Sequence, residues 1–339
     1  MSETTRKCGA NSCPPHDHPL QEYRPIEIIE CERKGPVLTS PKLLCMAPYH
    51  TLNLAMGCIN QCCYCYAQTY SQHPGWGRIH YFANTVELLK QQLPRMREKP
   101  LMVELSSATE PFMPVRRILD DLYEIIHLLL VNGIFIEICS KSLIPDRFIH
   151  LFSKYPKQTN VQVGLTTLND EARRMIEPHT ATVDERLSNL ERLVTAGIRC
   201  EARMDPLIPG LSDTNESVAA VMQKLKSLGV HEVLAAFLFL RWGISFPGHL
   251  QLGNWSAKTM LKLHRQKISN YCGNGTIVLP PAKYRAERID SLCKIADEQE
   301  IGLTFCRCKN SDLPELGHVC HATPARPHNN DSGTQLSLF

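Results

Sequence analysis

Three thiols inside one eight-residue loop constrain this chain more than anything else in its 339 residues. Cys58, Cys62 and Cys65 stand in the run Gly57-Cys58-Ile59-Asn60-Gln61-Cys62-Cys63-Tyr64-Cys65-Tyr66, at the spacing C-x3-C-x2-C. Thiolates held so close repel each other unless a metal ion or cluster offsets their charge, so the loop asks for metal. Three cysteines leave one iron of a [4Fe-4S] cluster without a protein ligand, and chemistry can occur at that open position. Cys63, between two ligands, reads as a spare thiol.

Composition narrows the setting. The chain is 43% hydrophobic, enough for one large core or a core with an accessory segment. No apolar run approaches the roughly 20 residues needed to cross a bilayer, which argues against a membrane partner. Met1-Ser2-Glu3-Thr4 lacks the charged-then-apolar start of a secreted protein. Fifteen cysteines in a large chain with such a start point to metal and a reducing cytoplasm rather than disulfides. A net charge of +3 permits nucleic-acid contact without arguing for it.

Residues 1–35 read as a flexible extension; Cys8, Cys13, His16 and His18 there are too loosely spaced to make a metal site the first expectation. From residue 36 to 245 strands and helices alternate in the rhythm of βα units. Strands are predicted at 49–54, 101–106, 134–139, 161–165, 200–204 and 233–239, with helices at 85–96, 115–131, 144–153, 184–196 and 215–228 between them. Parallel strands linked this way curl into a full or partial barrel, or lie in an open doubly wound sheet. In the barrel the site lies at the C-terminal ends of the strands. Those ends carry Ser106-Ser107-Ala108-Thr109-Glu110-Pro111, Cys139-Ser140-Lys141, Thr166-Thr167, and Glu201, Arg203 and Asp205.

The cysteine loop, with an aromatic before its last thiol, resembles the radical S-adenosylmethionine (radical SAM) superfamily. The resemblance implies a partial (β/α)6 barrel, α/β in class. It also implies a [4Fe-4S] cluster on Cys58, Cys62 and Cys65 whose open iron chelates SAM, with reductive cleavage to a 5′-deoxyadenosyl radical. Residues 53–68, 106–114, 161–169 and 203–210 are similar to the spore photoproduct lyase-like branch, often labelled DNA repair photolyases. On that likeness Tyr64 lies along the adenine. Thr109, Glu110 and Lys141 take the places of a serine, an aspartate and a lysine that meet SAM in the lyases, and Thr166 and Arg203 complete the pocket. A zwitterionic aminoacyl group needs acceptors for its ammonium and cations or hydroxyls for its carboxylate, which these residues supply. The lyases' hydrogen-donor cysteine falls on Ser107 here, whose O–H is far too strong to donate a hydrogen atom comparably. Cys139 or Cys63 is then the candidate donor, whichever the fold brings to the substrate, Tyr66 a candidate relay, and a flavodoxin or ferredoxin the expected electron source.

Beyond the barrel, 246–322 reads as an accessory segment, with helices near 257–267 and 284–299 and a short strand at 302–305. Cys306-Arg307-Cys308, with Cys320 and flanking histidines, predicts a second iron–sulfur cluster or structural zinc. The polar tail, 323–339, reads as disordered and ends in Gln335-Leu336-Ser337-Leu338-Phe339. That pentapeptide resembles the motif by which bacterial replication and repair proteins dock on the DNA sliding clamp. The expected function is therefore a radical SAM enzyme acting on DNA. The alternatives are radical modification of a peptide, RNA or small metabolite, and a non-catalytic iron–sulfur or zinc module that docks a replication partner.

Overall fold

Seven strands cross the main sheet in the order in which they occur in the chain. They are β1 (His50–Leu52), β2 (Met102–Leu105), β3 (Phe135–Ser140), β4 (Thr159–Gly164), β5 (Arg199–Leu207), β6 (Glu232–Phe237) and β7 (Gly302–Phe305). Every neighbouring pair is parallel. The structure, a computed structural model, describes residues 26–40, 49–241, 246–269 and 275–313. Helices α1 (Thr85–Arg95), α2 (Arg116–Val131), α3 (Asp146–Ser153), α4 (Asp170–Ile176), α5 (Val183–Thr195), α6 (Asn215–Ser227) and α7 (Ala282–Glu298) carry the chain from strand to strand. Sequential order with parallel pairing is what a sheet winding into a barrel produces. Among the described strands β1 and β7 do not pair, so this is a partial barrel.

The sequence dictates these elements locally. In α2 the buried residues Ile118, Leu122, Ile125, Ile126, Leu129 and Leu130 recur with helical period and form one apolar stripe. The helix ends at Asn132-Gly133, where Gly133 takes φ +75°, a conformation that glycine adopts without strain. A reciprocal pair of hydrogen bonds between Thr182 and Glu185 starts α5. All six residues of β4 are buried, as expected of an interior parallel strand covered on both faces.

Four features differ from the sequence expectation. The strand at 302–305, assigned to the accessory segment, pairs with β6 and extends the barrel sheet to seven strands, so its C-terminal end reaches the same mouth. A short helix, α4, precedes α5 in a connection where one helix was expected. Residues 27–31, expected in the flexible extension, form a strand parallel to Arg78–Phe82, which also pairs with Ala55–Met56. The helix expected over 257–267 runs only over Ala257–Leu261; Gln266–Ser269 is instead a strand antiparallel to Thr276–Leu279, itself paired with Leu240–Arg241. No helix among the described residues is long and apolar enough to cross a membrane.

Candidate active site

The strand Ala55–Met56 delivers the chain into the cysteine loop through Gly57 at φ +86°. A Cβ on Gly57 would stand 2.3 Å from the Arg78 carbonyl oxygen, so only glycine fits. The hydroxyl of Thr109, from the β2 end, donates to the Gly57 carbonyl. The Gln68 amide donates to Cys62 O at 3.1 Å, and Asn60 N–H points at Cys58 Sγ at 3.4 Å. Cys58, Cys62 and Cys65 then line one cavity at the C-terminal end of the sheet, together with Tyr64, Tyr66, Ser107, Thr109, Glu110, Cys139, Lys141, Arg203 and Asp205.

Burial pushes the Cys62 thiol up to about 12, with the neighbouring Glu177 and Cys65 adding to the rise. Cys58 is raised by burial and then by Cys62, Glu110 and Cys65. Cys65 is raised by burial as well. Three thiols that burial and mutual repulsion keep from ionising alone suit a polycationic cluster, whose charge makes thiolate the favoured form. Among the described residues no three His, Cys, Asp or Glu side chains converge as they would on a single ion. A cube spreads its ligand sulfurs more widely than one ion does, and the donor set fits the cube.

Glu110 is almost fully buried, and its carboxylate accepts four hydrogen bonds. The donors are Asn60 Nδ2 (2.9 Å), Ser140 Oγ (2.6 Å), Lys141 N–H (3.0 Å) and Phe112 N–H (3.1 Å). Burial pushes its carboxyl above the usual range despite those bonds. Glu110, expected to receive a ligand ammonium, lines the cavity and also braces the loop through Asn60 against the end of β3.

Lys141 reaches across the cavity wall to Glu177 (3.0 Å), the Tyr64 hydroxyl (2.5 Å) and the Asp205 carbonyl (3.2 Å), and lies 4.9 Å from the Tyr64 ring centre. Burial opposes its charge, but Glu177 and Cys62 overcome that and hold it above its ordinary value. Glu177, which the sequence did not single out, is completely buried just after α4. Its carboxylate pairs with Arg186 at 2.5 Å and accepts from the Tyr64 hydroxyl. Burial pushes Glu177 up, but Arg186 and Lys141 more than compensate and hold it at about 2. The connection from α4 to α5 thus forms the back wall of the cysteine loop, reinforced by Cys63 N–H donating to Ile176 O at 3.0 Å. Thr166, expected in the SAM pocket, lies outside the cavity lining, fully buried, with its hydroxyl 3.4 Å from Glu177.

Next to Lys141 the Arg203 guanidinium holds Asp205 (3.1 Å) and Gln162 (2.6 Å), and Lys309 closes on the same Asp205 carboxylate at 2.7 Å. Burial pushes Asp205 up, yet Lys309 and Arg203 hold it well below the usual carboxylate range. Lys309 comes from the turn after β7, whose cysteines drew attention instead; recognising 302–305 as a barrel strand is the signal that finds it. The Tyr66 hydroxyl donates to Ser107 O at 2.8 Å, and its ring stacks on Phe239. Cys139 lines the cavity, its thiol raised by burial to about 11. Cys306 is buried at the end of β7; the Cys308 side chain, Cys320 and the tail pentapeptide lie outside the described residues.

The family model described as "Radical SAM superfamily" matches residues 52–225. An uncharacterized protein of Methanocaldococcus jannaschii is 30% identical over 198 residues, 56% of this chain and 70% of that protein. An uncharacterized protein of Acidianus two-tailed virus is 26% identical over 205 residues, 56% of this chain and 67% of that one. One of Mycobacterium tuberculosis (strain H37Rv) is 23% identical over 231 residues, 66% of each. The matches thus span about two thirds of these relatives' lengths. Among solved structures, a mutant of spore photoproduct lyase superposes with TM-score 0.63 at 15% identity over 82% of each chain. Spore photoproduct lyase complexed with dinucleoside spore photoproduct does so with TM-score 0.62 at 13% identity, again over 82% of each. At such identities the likeness is one of fold.

Proposed function

From the premise that this chain belongs to the radical SAM superfamily, we propose that it is a cytoplasmic enzyme that reductively cleaves SAM and abstracts a hydrogen atom from a DNA base, in repair or modification. Membership brings a [4Fe-4S] cluster and SAM as its cofactors; when bound, they supply a reducing electron and a carbon-centred radical. The observation that carries the reading is the meeting of Cys58, Cys62 and Cys65 with the ends of β2, β3 and β5 on one cavity. That the similarly folded spore photoproduct lyase is complexed with dinucleoside spore photoproduct supports DNA as the substrate.

The chain's own residues have separable tasks in this reading. Cys58, Cys62 and Cys65 hold the cluster. Lys141, 16% exposed toward the cavity, presents a cation to the SAM carboxylate, and Glu177 fixes its reach. Glu110 and Thr109 keep the loop in place. Tyr64 offers its face to the adenine. Cys139 carries the S–H that returns a hydrogen atom to the substrate carbon, and the thiyl so formed is reduced back to the thiol through Tyr66 by one electron from the flavodoxin or ferredoxin and a proton. Cys306 supplies one thiol of a second metal site with Cys308 and Cys320, a flavodoxin or ferredoxin supplies the electron, and Gln335–Phe339 docks on the sliding clamp.

The test is anaerobic incubation of the reconstituted protein with SAM, reductant and ultraviolet-irradiated DNA. The expected products are 5′-deoxyadenosine and an altered base, with Cys139→Ala retaining the former and losing the latter. Abundant 5′-deoxyadenosine with DNA untouched would move the substrate to another class.

A further inference from the structure

From Val233 to Ala286 the chain contains seven Lys and Arg residues and not one of its 34 Asp and Glu. The whole chain carries only +3, so everything outside this stretch is net acidic. Two of the seven are engaged internally: Arg285 is buried against Asp312 at 2.5 Å, and Lys283 faces Glu287 at 3.9 Å. Arg241 is half-buried, over the rings of Tyr66 and Tyr70 at 5.8 and 5.9 Å. Lys258, Lys262, Arg265 and Lys267 are exposed, and no ion pair to them occurs among the described residues.

Their placement follows from the local fold. Along Ala257–Leu261 and the turn after it, the buried positions are Ala257, Met260 and His264. Lys258, Lys262 and Arg265 recur at i, i+4 and i+7 on the other side. The buried side seats this segment at the cavity: Ala257 and Met260 pack in one apolar cluster with Cys63, Ile208 and Leu238, and Tyr64 packs against it. The His264 ring nitrogen Nε2 lies 3.0 Å from the carbonyl of Leu238, a residue of the cavity lining. Lys267 follows on the strand Gln266–Ser269, in the same small sheet as Leu240–Arg241. Positive charge therefore runs along this segment and its small sheet to Arg241, which lies over the ring of Tyr66, a residue of the cavity lining.

We propose that Lys258, Lys262, Arg265 and Lys267 form a phosphate-binding ramp that holds the backbone of a nucleic acid while one of its nucleotides enters the cavity. The inference rests on the DNA reading above and specifies where the strand lies. A row of exposed, unpaired cations beside a cavity matches a polyanion, whose binding is driven by counterion release and scales with the number of phosphates met. Nothing in the ramp reads a base, so the contacts position the strand and leave recognition to the cavity.

The test is fluorescence polarisation of a fluorescein-labelled DNA duplex and its single strand with the full-length reconstituted protein, at salt from 50 to 200 mM. The charge-reversed variant Lys258→Glu/Lys262→Glu/Arg265→Glu is expected to bind at least tenfold more weakly. Its plot of log affinity against log salt should flatten by about 2 to 3, at about 0.9 per lost phosphate contact on duplex. The neutral variant with glutamine at the same three positions is expected to flatten the slope nearly as much. SAM cleavage without DNA should be unchanged in both, since the three side chains stand outside the cavity. Unchanged affinity and slope would overturn the ramp and leave the DNA reading standing, whereas no binding by the unaltered protein would overturn both. Tighter binding to anionic phospholipid vesicles than to DNA would assign the ramp to a membrane surface and overturn the proposal.

Discussion

Glu177→Gln preserves the shape of a completely buried side chain and removes its charge from between two buried cations, Arg186 at 2.5 Å and Lys141 at 3.0 Å. The size of the effect follows from two routes. Glu177 lies at about 2 against an ordinary 4.5, and at about 1.4 kcal/mol per unit this difference corresponds to about 3 kcal/mol of stability at neutral pH. Removing one member of a buried ion pair costs roughly 3–5 kcal/mol, because the other charge is left without compensation. The routes agree. For a chain of 339 residues, at about 2.1 cal/mol/K of unfolding entropy per residue, about 3 kcal/mol lowers the melting temperature by roughly 4 °C. The assay is thermal unfolding of the anaerobically purified holoprotein, with Arg186→Gln and the double variant completing a cycle. The double variant should cost less than the sum of the singles by more than about 1 kcal/mol, since the two side chains touch. Glu177→Gln should also lower iron retention, because Tyr64 loses its charged acceptor inside the cysteine loop. A melting temperature within 2 °C of the unaltered protein, or strictly additive costs, would refute the argument that this pair anchors the loop.

Other outcomes follow from the same geometry. Because the folded-state value of Glu177 is depressed, its contribution to stability is complete above about pH 4.5 and fades as pH falls toward about 2. Acid unfolding should thus be less steep over that window in Glu177→Gln. Gly164→Ala places a Cβ 2.6 and 2.7 Å from the Lys141 side-chain carbons. It should displace that lysine and raise KM for SAM about tenfold (about 1.4 kcal/mol), with iron content unchanged; a KM within twofold would count against Lys141 as the SAM cation. With Cys58, Cys62 and Cys65 all replaced by alanine, elemental analysis is expected to find about one zinc per chain, or about four irons if the site at Cys306, Cys308 and Cys320 holds a cluster. Metal-free protein would leave those cysteines without that role.

What the sequence disclosed and what it withheld divide along physical lines. The cysteine loop and the βα alternation were legible because metal-ligand spacing and hydrophobic period are local properties. The ends of the strands were legible as places, and residues at the ends of β2, β3 and β5 do line one cavity, but not as bonding partners. Glu110, with an acceptor role expected, faces Asn60 and Ser140, and Thr166 turns to Glu177 behind the wall. The back wall escaped notice although its signal was present: Asn169 caps α4, with Asp170 and Glu171 in its first turn. Seven residues are few for a periodic pattern, so neither α4 nor Glu177 behind it stood out. Lys309 was hidden for a different reason. Its role depends on β7 joining the sheet beside β6, a pairing across a long excursion that no local pattern encodes.

The central claim is that Cys58, Cys62 and Cys65 hold a cluster whose open iron takes SAM. Its most direct measurement is iron content and 5′-deoxyadenosine formation, side by side, in protein reconstituted without oxygen and in the Cys58→Ala/Cys62→Ala/Cys65→Ala variant. The account predicts about four irons per cluster and steady SAM cleavage in the first, and loss of both that iron and the cleavage in the second. Equal iron and equal 5′-deoxyadenosine in the two proteins would contradict it.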